Sequence, residues 1–242
     1  MEVKTSAEEK TEAKQPLVRQ YVRFVCYKLD LAFRKLDPNV RHQAKEEVFS
    51  ALDLFRDRMM LFTYNLTATR ADADFMFWQI AEDLEVFEEF SSRLTRSGLG
   101  LYMTRTHSFL SMTKHSLYVD KINPEHPQGR SRIQPGQHRF LFVYPFVKTK
   151  AWYQLPMAER QKMMDEHIVI GNKYPSVKLN TTYSFGLDDQ EFVVAFESDS
   201  PQDFLDLVQE LRGSKASQYT LRDTPTITAI ARDPKWILDA LG

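Results

Sequence analysis

The chain has 242 residues, of which 43% are hydrophobic and 27% are charged, and its 32 Lys and Arg against 33 Asp and Glu residues give a net charge of −1. This composition is typical of a globular protein, and the balanced charge disfavours a general attraction to nucleic acid or to an anionic membrane. The single cysteine, Cys26, excludes an internal disulfide and a thiolate metal cluster, fits a reducing cytoplasm, and accompanies a sequence with no apolar run long enough to span a membrane.

Residues 1–17 are charged and lack an apolar core, so they predict a flexible tail. Beyond it, runs with strand-like composition and alternation are interspersed with runs at helical spacing, such as Val40, Ala44, Val48 and Ala51. The segments predicted in residues 18–114 are a strand (18–32), a helix that begins at Asp37, two strands (60–68 and 74–81), a helix that ends at Gly98, and a strand (101–113).

Residues 115–137 contain three prolines and two glycines among charged residues, with no periodicity, and predict a connecting loop. The same order of elements recurs in residues 138–231. The predicted segments are a strand (138–149), a helix (156–172), two strands (177–185 and 191–198), a helix (201–212) and a strand (219–231). A short helix is predicted in residues 232–242.

A constant shift of 117 residues aligns the two halves without a gap. The shift places Tyr27 on Tyr144, Phe75 on Phe192, Phe87 on Phe204, Tyr102 on Tyr219 and Arg105 on Arg222. We therefore predict an α+β fold in which tandem ferredoxin-like βαββαβ repeats form one dimeric-type α+β barrel within a single chain. Residues that serve the shared fold should occur in both halves, whereas residues that serve chemistry should occur in one.

His167 is a position at which the halves differ, because Ser50 stands opposite it. Met163 and Met164 share its face of the predicted helix. A histidine in this setting is either a core residue bonded to a backbone carbonyl or a single axial ligand of a haem iron. No second histidine or carboxylate lies three or four residues away, which disfavours zinc and di-iron sites.

The segment Tyr144-Pro145-Phe146-Val147-Lys148 is unusual for a strand, because proline cannot donate to the strand ladder. It predicts either a simple kink or a bend that directs the Tyr144 hydroxyl and the Lys148 ammonium towards one cavity. A phenol beside an ammonium group suits a ligand that carries carboxylates.

Several motifs follow one another within residues 138–230. They are Val143-Tyr144-Pro145-Phe146-Val147-Lys148, Trp152-Tyr153, Leu155-Pro156, Glu159-Arg160, Glu166-His167, Tyr174-Pro175, Asn180-Thr181-Thr182, Gly186-Leu187-Asp188-Asp189, Leu211-Arg212 and Ser217-Gln218-Tyr219. Together they resemble the chlorite dismutase-like haem family, and within it most closely the coproheme decarboxylases.

The resemblance implies a homopentamer that binds an iron porphyrin in the second half of each chain. His167 matches the proximal iron ligand, and Tyr144 matches the catalytic tyrosine that becomes a radical. Lys148, Arg212 and Ser217 match positions that hold propionates. In the implied reaction hydrogen peroxide oxidises the ferric iron, the tyrosine radical attacks a propionate, and carbon dioxide leaves. Two rounds convert coproheme, which is both substrate and redox cofactor, to haem b.

One departure from the family pattern separates its members. Asn180, thirteen residues after His167, stands where chlorite dismutases have a distal arginine, which disfavours chlorite decomposition. The spacing between Tyr144 and His167, and the Phe146-Val147 pair after Tyr144-Pro145, resemble those of the actinobacterial decarboxylases, in which a distal histidine acts as a base. His126 is the catalytic candidate for that role, with His138 as the alternative, and Arg130 is a candidate for a further propionate contact.

Three classes of function remain open at this point. A coproheme decarboxylase needs both His167 and Tyr144, whereas a porphyrin-binding or handling protein needs no oxidisable phenol. A scaffold without cofactor gives no reason for His167 opposite Ser50. We expect the enzyme, acting in the cytoplasm on coproheme and hydrogen peroxide, without a nucleic-acid partner or a membrane span.

Overall fold

A computed structural model of the chain describes residues 18–116, 118, 132–136 and 138–242, which form the predicted α+β fold. The strands are β1 (Tyr21–Leu29), β2 (Met60–Asn65), β3 (Phe75–Ala81), β4 (Met103–Met112), β5 (Phe140–Lys148), β6 (Val177–Tyr183), β7 (Phe192–Ser198), β8 (Thr220–Arg222) and β9 (Ile227–Ala231). The helices are α1 (Pro38–Leu54), α2 (Glu85–Arg96), α3 (Lys150–Gln154), α4 (Met157–Gly171), α5 (Pro201–Arg212) and α6 (Pro234–Leu241). None of the helices in these ranges is both long and apolar enough to cross a bilayer.

The strands other than β8 close into one antiparallel barrel. Their order is β7–β6–β4–β1–β3–β2–β9–β5, and β5 pairs with β7 to complete the ring. The two repeats supply the matching strand orders β4–β1–β3–β2 and β9–β5–β7–β6. They join where β4 meets β6 and where β2 meets β9. Closure gives each of these strands a neighbour on both sides, and β8 extends the pairing at the end of β5.

Side chains of the barrel strands alternate between an inner layer and an outer layer beneath the helices. Val22 and Phe24 of β1 and Leu141 and Val143 of β5 belong to the inner core. In the first half, α1, α2 and α6 cover a large outer core that contains twenty fully buried apolar residues. The outer core of the second half contains five among the described residues, namely Phe142, Ile170, Phe196, Phe204 and Leu207. The second half therefore has the smaller apolar layer between sheet and helices.

Capping residues set the starts of several helices. The Asp37 carboxylate accepts a hydrogen bond from Asn39 N at 2.8 Å, and Pro38 occupies the first turn of α1. The Ser200 hydroxyl accepts from Asp203 N at the start of α5.

The predicted constant shift of 117 residues is wrong for the first strand of each repeat. β3 and β7 are 117 residues apart, but Tyr27 pairs with Phe75 whereas Phe146 pairs with Phe192. Register therefore places Tyr27 opposite Phe146, which is a shift of 119 residues. Asn65 pairs with Phe75 and Tyr183 with Phe192, so β2 and β6 correspond at a shift of 118 residues. One residue of the difference therefore lies between the first and second strands of the repeats, and one lies between the second and third.

The corrected register changes the counterparts of the candidate residues. Tyr144 corresponds to Val25 and Lys148 to Leu29, and both of these first-half residues are buried in the outer core. The two halves therefore differ more at these positions than the sequence alignment indicated.

Two further segments differ from the prediction. The predicted strand 219–231 is divided into β8 and β9, which pair with different parts of β5. The short helix α3 was not predicted, because its five residues are too few to show a helical period.

We expect Leu141→Ala to destabilise the protein by about 2–5 kcal/mol, because Leu141 is fully buried inside the barrel and its removal leaves a cavity. Urea unfolding measures the change. Leu101→Ala is the matched control, since Leu101 is 81% exposed and should change the free energy of unfolding by less than about 0.5 kcal/mol. Equal losses in the two variants would contradict the assignment of Leu141 to the core.

Candidate functional site

Strand β5 positions two of the candidate residues, Tyr144 and Lys148, on its helix-facing side. Tyr144 packs against the outer core of the second half, whereas its neighbour Val143 belongs to the inner core. Pro145 lies where β5 has left β9, after Val143, and has not yet met β8, at Val147. The proline therefore costs no hydrogen bond to those two strands, which explains how the ladder tolerates it.

His167 lies near the end of α4 and is largely buried. Burial, the largest cause, and the positive charge of Lys148 together lower the pKa of its imidazole to about 4, and Glu166 acts in the opposite direction. Among the described residues no hydrogen-bond partner of the ring is found. The side chain is therefore a neutral imidazole at neutral pH, the form that binds metal ions.

Lys148 is held at the end of β5 by groups from three directions. Its Nζ donates to Ala216 O at 2.7 Å and lies 4.6 Å from the centre of the Trp152 ring. Its backbone N donates to the carboxylate of Glu191 at 2.7 Å. Burial lowers the pKa of the Lys148 ammonium to about 8, and Glu191 opposes this shift. The ammonium is thus a partly buried cation with a carbonyl partner.

Arg212 and Ser217 lie at the end of α5 and in the short helical turn after it. The Ser217 hydroxyl is 2.7 Å from both Arg212 O and Ser214 O, to which it donates. The Arg212 guanidinium forms an ion pair with Asp223. Arg212 is therefore both the last residue of the helix and one of the cations of the candidate site.

The Tyr144 phenol lies within the electrostatic influence of this ion pair. Burial raises the pKa of the phenol, Arg212 acts to lower it, and Asp223 acts to raise it. Tyr144 therefore keeps its proton at neutral pH, and its Oη can donate a hydrogen bond to a carboxylate. The contacts and charge effects together place Tyr144, Lys148, Arg212, Ser217 and His167 in one region.

Of the remaining candidates, the structure describes only His138. His126 and Arg130 lie outside the described residues. His138 lies at the opposite end of β5 from Lys148, where its Nδ1 is 2.9 Å from the Asp199 carboxylate. Six residues of strand separate it from Tyr144, which corresponds to about 20 Å. The structure does not bring His138 to the phenol.

Asn180 does not face the candidate site. It pairs with Ala195, an inner-core residue, and its amide donates to the buried carboxylate of Glu197 at 2.9 Å. The position thirteen residues after His167 is therefore on the inner face of β6. Leu179 and Thr181 occupy the outer face, and neither is a cation. Next to Asn180, the outer face of β6 therefore carries no cation.

The Gly186-Leu187-Asp188-Asp189 motif forms the turn between β6 and β7. Gly186 adopts φ +73°, a conformation that favours glycine. The Asp188 carboxylate accepts from Leu110 N at 2.8 Å, which attaches the turn to β4. This motif serves the junction of the two repeats.

Sequence reasoning missed two acidic residues of the region, Asp223 and Glu191. Glu191 has a first-half counterpart in Asp74, because Asp74 accepts from Leu29 N as Glu191 accepts from Lys148 N. The shift of 117 residues already places Glu191 on Asp74, and the corrected register, which places Lys148 on Leu29, shows that the two acidic residues serve the shared fold. Asp223 stands opposite Thr106 at the shift of 117 residues, and this asymmetry was a signal for it.

An open cavity of about 660 Å³ lies beside β2 in the first half. Two of its arginines are paired with acidic residues, Arg58 with Glu89 and Arg132 with Glu82. None of the described candidate residues lines it, so we place the candidate site in the second half.

Comparison with known proteins agrees with this structural picture. A family model for chlorite dismutase matches residues 41–232. A coproheme decarboxylase of Mycolicibacterium smegmatis is 33% identical over 167 residues, which cover 68% of this chain and 70% of the relative. A coproheme decarboxylase of Staphylococcus carnosus is 31% identical over 160 residues, and the match spans 64% of that protein, just under two thirds of its length.

Solved structures show the same fold. A mutant chlorite dismutase of Candidatus Nitrospira defluvii superimposes with a TM-score of 0.85 at 24% identity, over 92% of this chain and 95% of that one. A haem-binding protein of Thermus thermophilus has a TM-score of 0.83 at 25% identity, over 93% and 96% of the two chains.

The lowered pKa of His167 predicts how stability depends on pH. The unfolded chain protonates this histidine near its ordinary pKa of 6.5, whereas the folded protein resists protonation down to about 4. Lowering the pH from about 7 towards about 4 therefore reduces the free energy of unfolding of the wild type. Over the same pH range, the free energy of unfolding of His167→Gln should fall by a smaller amount. Urea unfolding at several pH values tests this, with the exposed His42 as control in His42→Gln. The same pH dependence in His167→Gln and wild type would contradict the prediction.

Proposed function

Because the chain belongs to the chlorite dismutase family, we propose that it is a coproheme decarboxylase that converts two propionates of an iron porphyrin to vinyl groups with hydrogen peroxide as oxidant. The observation that carries this proposal is the asymmetry of the repeats. A phenol, two cations and a hydroxyl lie near a neutral imidazole in the second half, whereas Tyr144 and Lys148 correspond to buried apolar residues in the first. The names of the relatives in Mycolicibacterium and Staphylococcus support the same reaction.

The residues present fit an iron porphyrin. His167 offers one neutral nitrogen ligand, and no group of three or more His, Cys, Asp or Glu side chains suited to a metal ion occurs among the described residues. A metal bound there would take most of its ligands from outside these side chains, as the iron of a porphyrin does. The apolar outer core next to His167 suits the macrocycle, and the cations beside it suit the carboxylates.

Each polar residue of the region has a role in holding the substrate. His167 would bind the iron, and Lys148, Arg212 and Ser217 would hold propionate carboxylates through charge-assisted and neutral hydrogen bonds. Lys148 and Ser217 now donate to backbone carbonyls, and Arg212 pairs with Asp223, so binding requires an exchange of partners at each. The low dielectric of a buried site makes such contacts sensitive to position.

Tyr144 would remove hydrogen from the propionate. When bound, the porphyrin iron supplies the redox chemistry with hydrogen peroxide. The Tyr144 Oη–H, kept protonated by burial, can give up one electron and one proton and then recover a hydrogen atom from a propionate methylene. Per propionate, one peroxide and one proton are consumed, and one vinyl group, one carbon dioxide and two waters form. The carboxylate carbon–carbon bond breaks, and two electrons pass to peroxide.

A porphyrin-binding protein without turnover is the second candidate, favoured by the likeness to the Thermus haem-binding protein. It requires His167 but gives no role to the phenol of Tyr144. Chlorite decomposition is disfavoured, because Leu179 and Thr181 on the outer face of β6 provide no cation.

Several finer expectations belong to the same proposal. His126 as a distal base and Arg130 as a propionate contact remain predictions, as does the division into a tail (1–17), two repeats (18–114 and 138–231), a loop (115–137) and a C-terminal helix segment (232–242). We also propose a homopentamer that acts in the cytoplasm.

We expect Tyr144→Phe to bind ferric coproheme with little change in affinity but to lose carbon dioxide at least about a hundredfold more slowly, because the phenolic hydrogen is gone. Titration with hydrogen peroxide, followed by mass spectrometry of the porphyrin, measures the loss of two carbon dioxide units. Tyr27→Phe is the control, since Tyr27 packs against Phe75 in the first half and should leave the reaction unchanged.

Binding without any mass loss in the wild type would refute the decarboxylase and leave the binding protein. Undiminished mass loss in Tyr144→Phe would instead refute the role of the phenol. Oxygen release from chlorite would overturn the argument from the outer face of β6.

The lowered pKa of Lys148 predicts a pH dependence of binding. Its ammonium loses its proton near pH 8 in the protein, so attraction to a carboxylate weakens above that pH. We expect the affinity for coproheme to fall several-fold between about pH 7 and about pH 9 in the wild type. Lys148→Met should bind more weakly at pH 7 and show a smaller fall, as measured by Soret titration. A wild-type affinity that rises with pH would contradict this role.

A further inference from the structure

We propose that the Asp223 carboxylate and a porphyrin carboxylate compete for the Arg212 guanidinium, so that Asp223 acts as a positioning residue that lowers the affinity for the propionate held there and pairs with Arg212 again after decarboxylation. This inference rests on the proposed function and concerns the same site. Asp223 lies directly after β8, whose Arg222 pairs with Val147 of β5, and it follows the segment that carries Ser217.

The Asp223 side chain has Arg212 as its charge partner. Its carboxylate forms an ion pair with Arg212, and no other partner of this carboxylate is found in the described ranges. The side chain of Asp223 is 18% exposed, whereas that of Arg212 is 57% exposed. Asp223 therefore depends on Arg212 for its charge partner, while the arginine remains open to another anion.

The Arg212–Asp223 ion pair lies at the end of β5 that carries Tyr144 and Lys148. Asp223 follows Arg222, which pairs with Val147, three residues along β5 from Tyr144. The charges of Arg212 and Asp223 act on the pKa of Tyr144 in opposite directions. A carboxylate held by Arg212 next to Tyr144 would lie close to Asp223. Two carboxylates that share one guanidinium repel each other, especially where water is partly excluded.

The proposed exchange of partners at Arg212 affects the binding of the substrate. A propionate that reaches Arg212 displaces Asp223, which weakens the binding of that propionate. When the propionate leaves as carbon dioxide, a neutral vinyl group remains, and Asp223 pairs with Arg212 again. Arg212 therefore has an anionic partner before and after the reaction, and the affinities for substrate and product differ less than they would without Asp223.

Titration of the protein with metal-free coproporphyrin, followed by quenching of tryptophan fluorescence, tests this without turnover. We expect Asp223→Asn to bind about two- to fivefold more tightly than the wild type, the range for a partly exposed ion pair. In an Arg212→Gln background the same substitution should have no effect on affinity. Asp223→Glu should restore wild-type affinity, and Asp53→Asn, which breaks the exposed Arg56 pair, should leave it unchanged.

A tightening of equal size with and without Arg212 would overturn the competition, because it would reflect only the removal of a negative charge. Unchanged or weaker binding in Asp223→Asn would overturn it too, and would leave the proposed function in place. Failure of every variant and the wild type to bind either coproporphyrin or ferric coproheme would overturn the proposed function and this inference together.

Discussion

Strand β5 carries the constraint on which both the barrel and the candidate site depend. Its side chains alternate, so that Leu141 and Val143 fill the barrel while Phe142 and Tyr144 pack in the outer core with residues of α4 and α5. Lys148 contacts Trp152 of α3 and Ala216. A shift of one residue in the pairing of β5 with β7 would exchange the two sets. The packing of the apolar inner core therefore determines the side of β5 on which the Tyr144 phenol and the Lys148 ammonium lie. Residues that do not belong to the candidate site thus orient its side chains.

The duplication separates what the fold requires from what the site requires. Asp74 and Glu191 hold the ends of β1 and β5 in the same way in both repeats, so they serve the fold. At the positions of Tyr144 and Lys148 the first repeat has Val25 and Leu29, and its outer core is completed by α6. One repeat thus stabilises the barrel through packing at these positions, and the other has a phenol and an ammonium group where the first has apolar side chains.

Much of this picture could be predicted from the sequence, because alternation, helical spacing and capping residues are local. The order of strands and helices, and the candidates His167, Tyr144, Lys148, Arg212 and Ser217, came from such patterns and from the family resemblance. The change of the shift from 119 residues between β1 and β5 to 117 residues between β3 and β7 could not be seen, since only strand register reveals it. The inward direction of Asn180 and the pairing of Asp223 with Arg212 likewise depend on contacts between distant segments.

The central claim is that the second repeat holds the porphyrin between β5 and α4, with iron on His167. A crystal structure of the wild-type protein with ferric coproheme tests it most directly. The account predicts a bond between the iron and the His167 imidazole, and a propionate within hydrogen-bonding distance of the Tyr144 hydroxyl. A porphyrin bound to another part of the molecule, or iron held by a residue other than His167, would contradict the account.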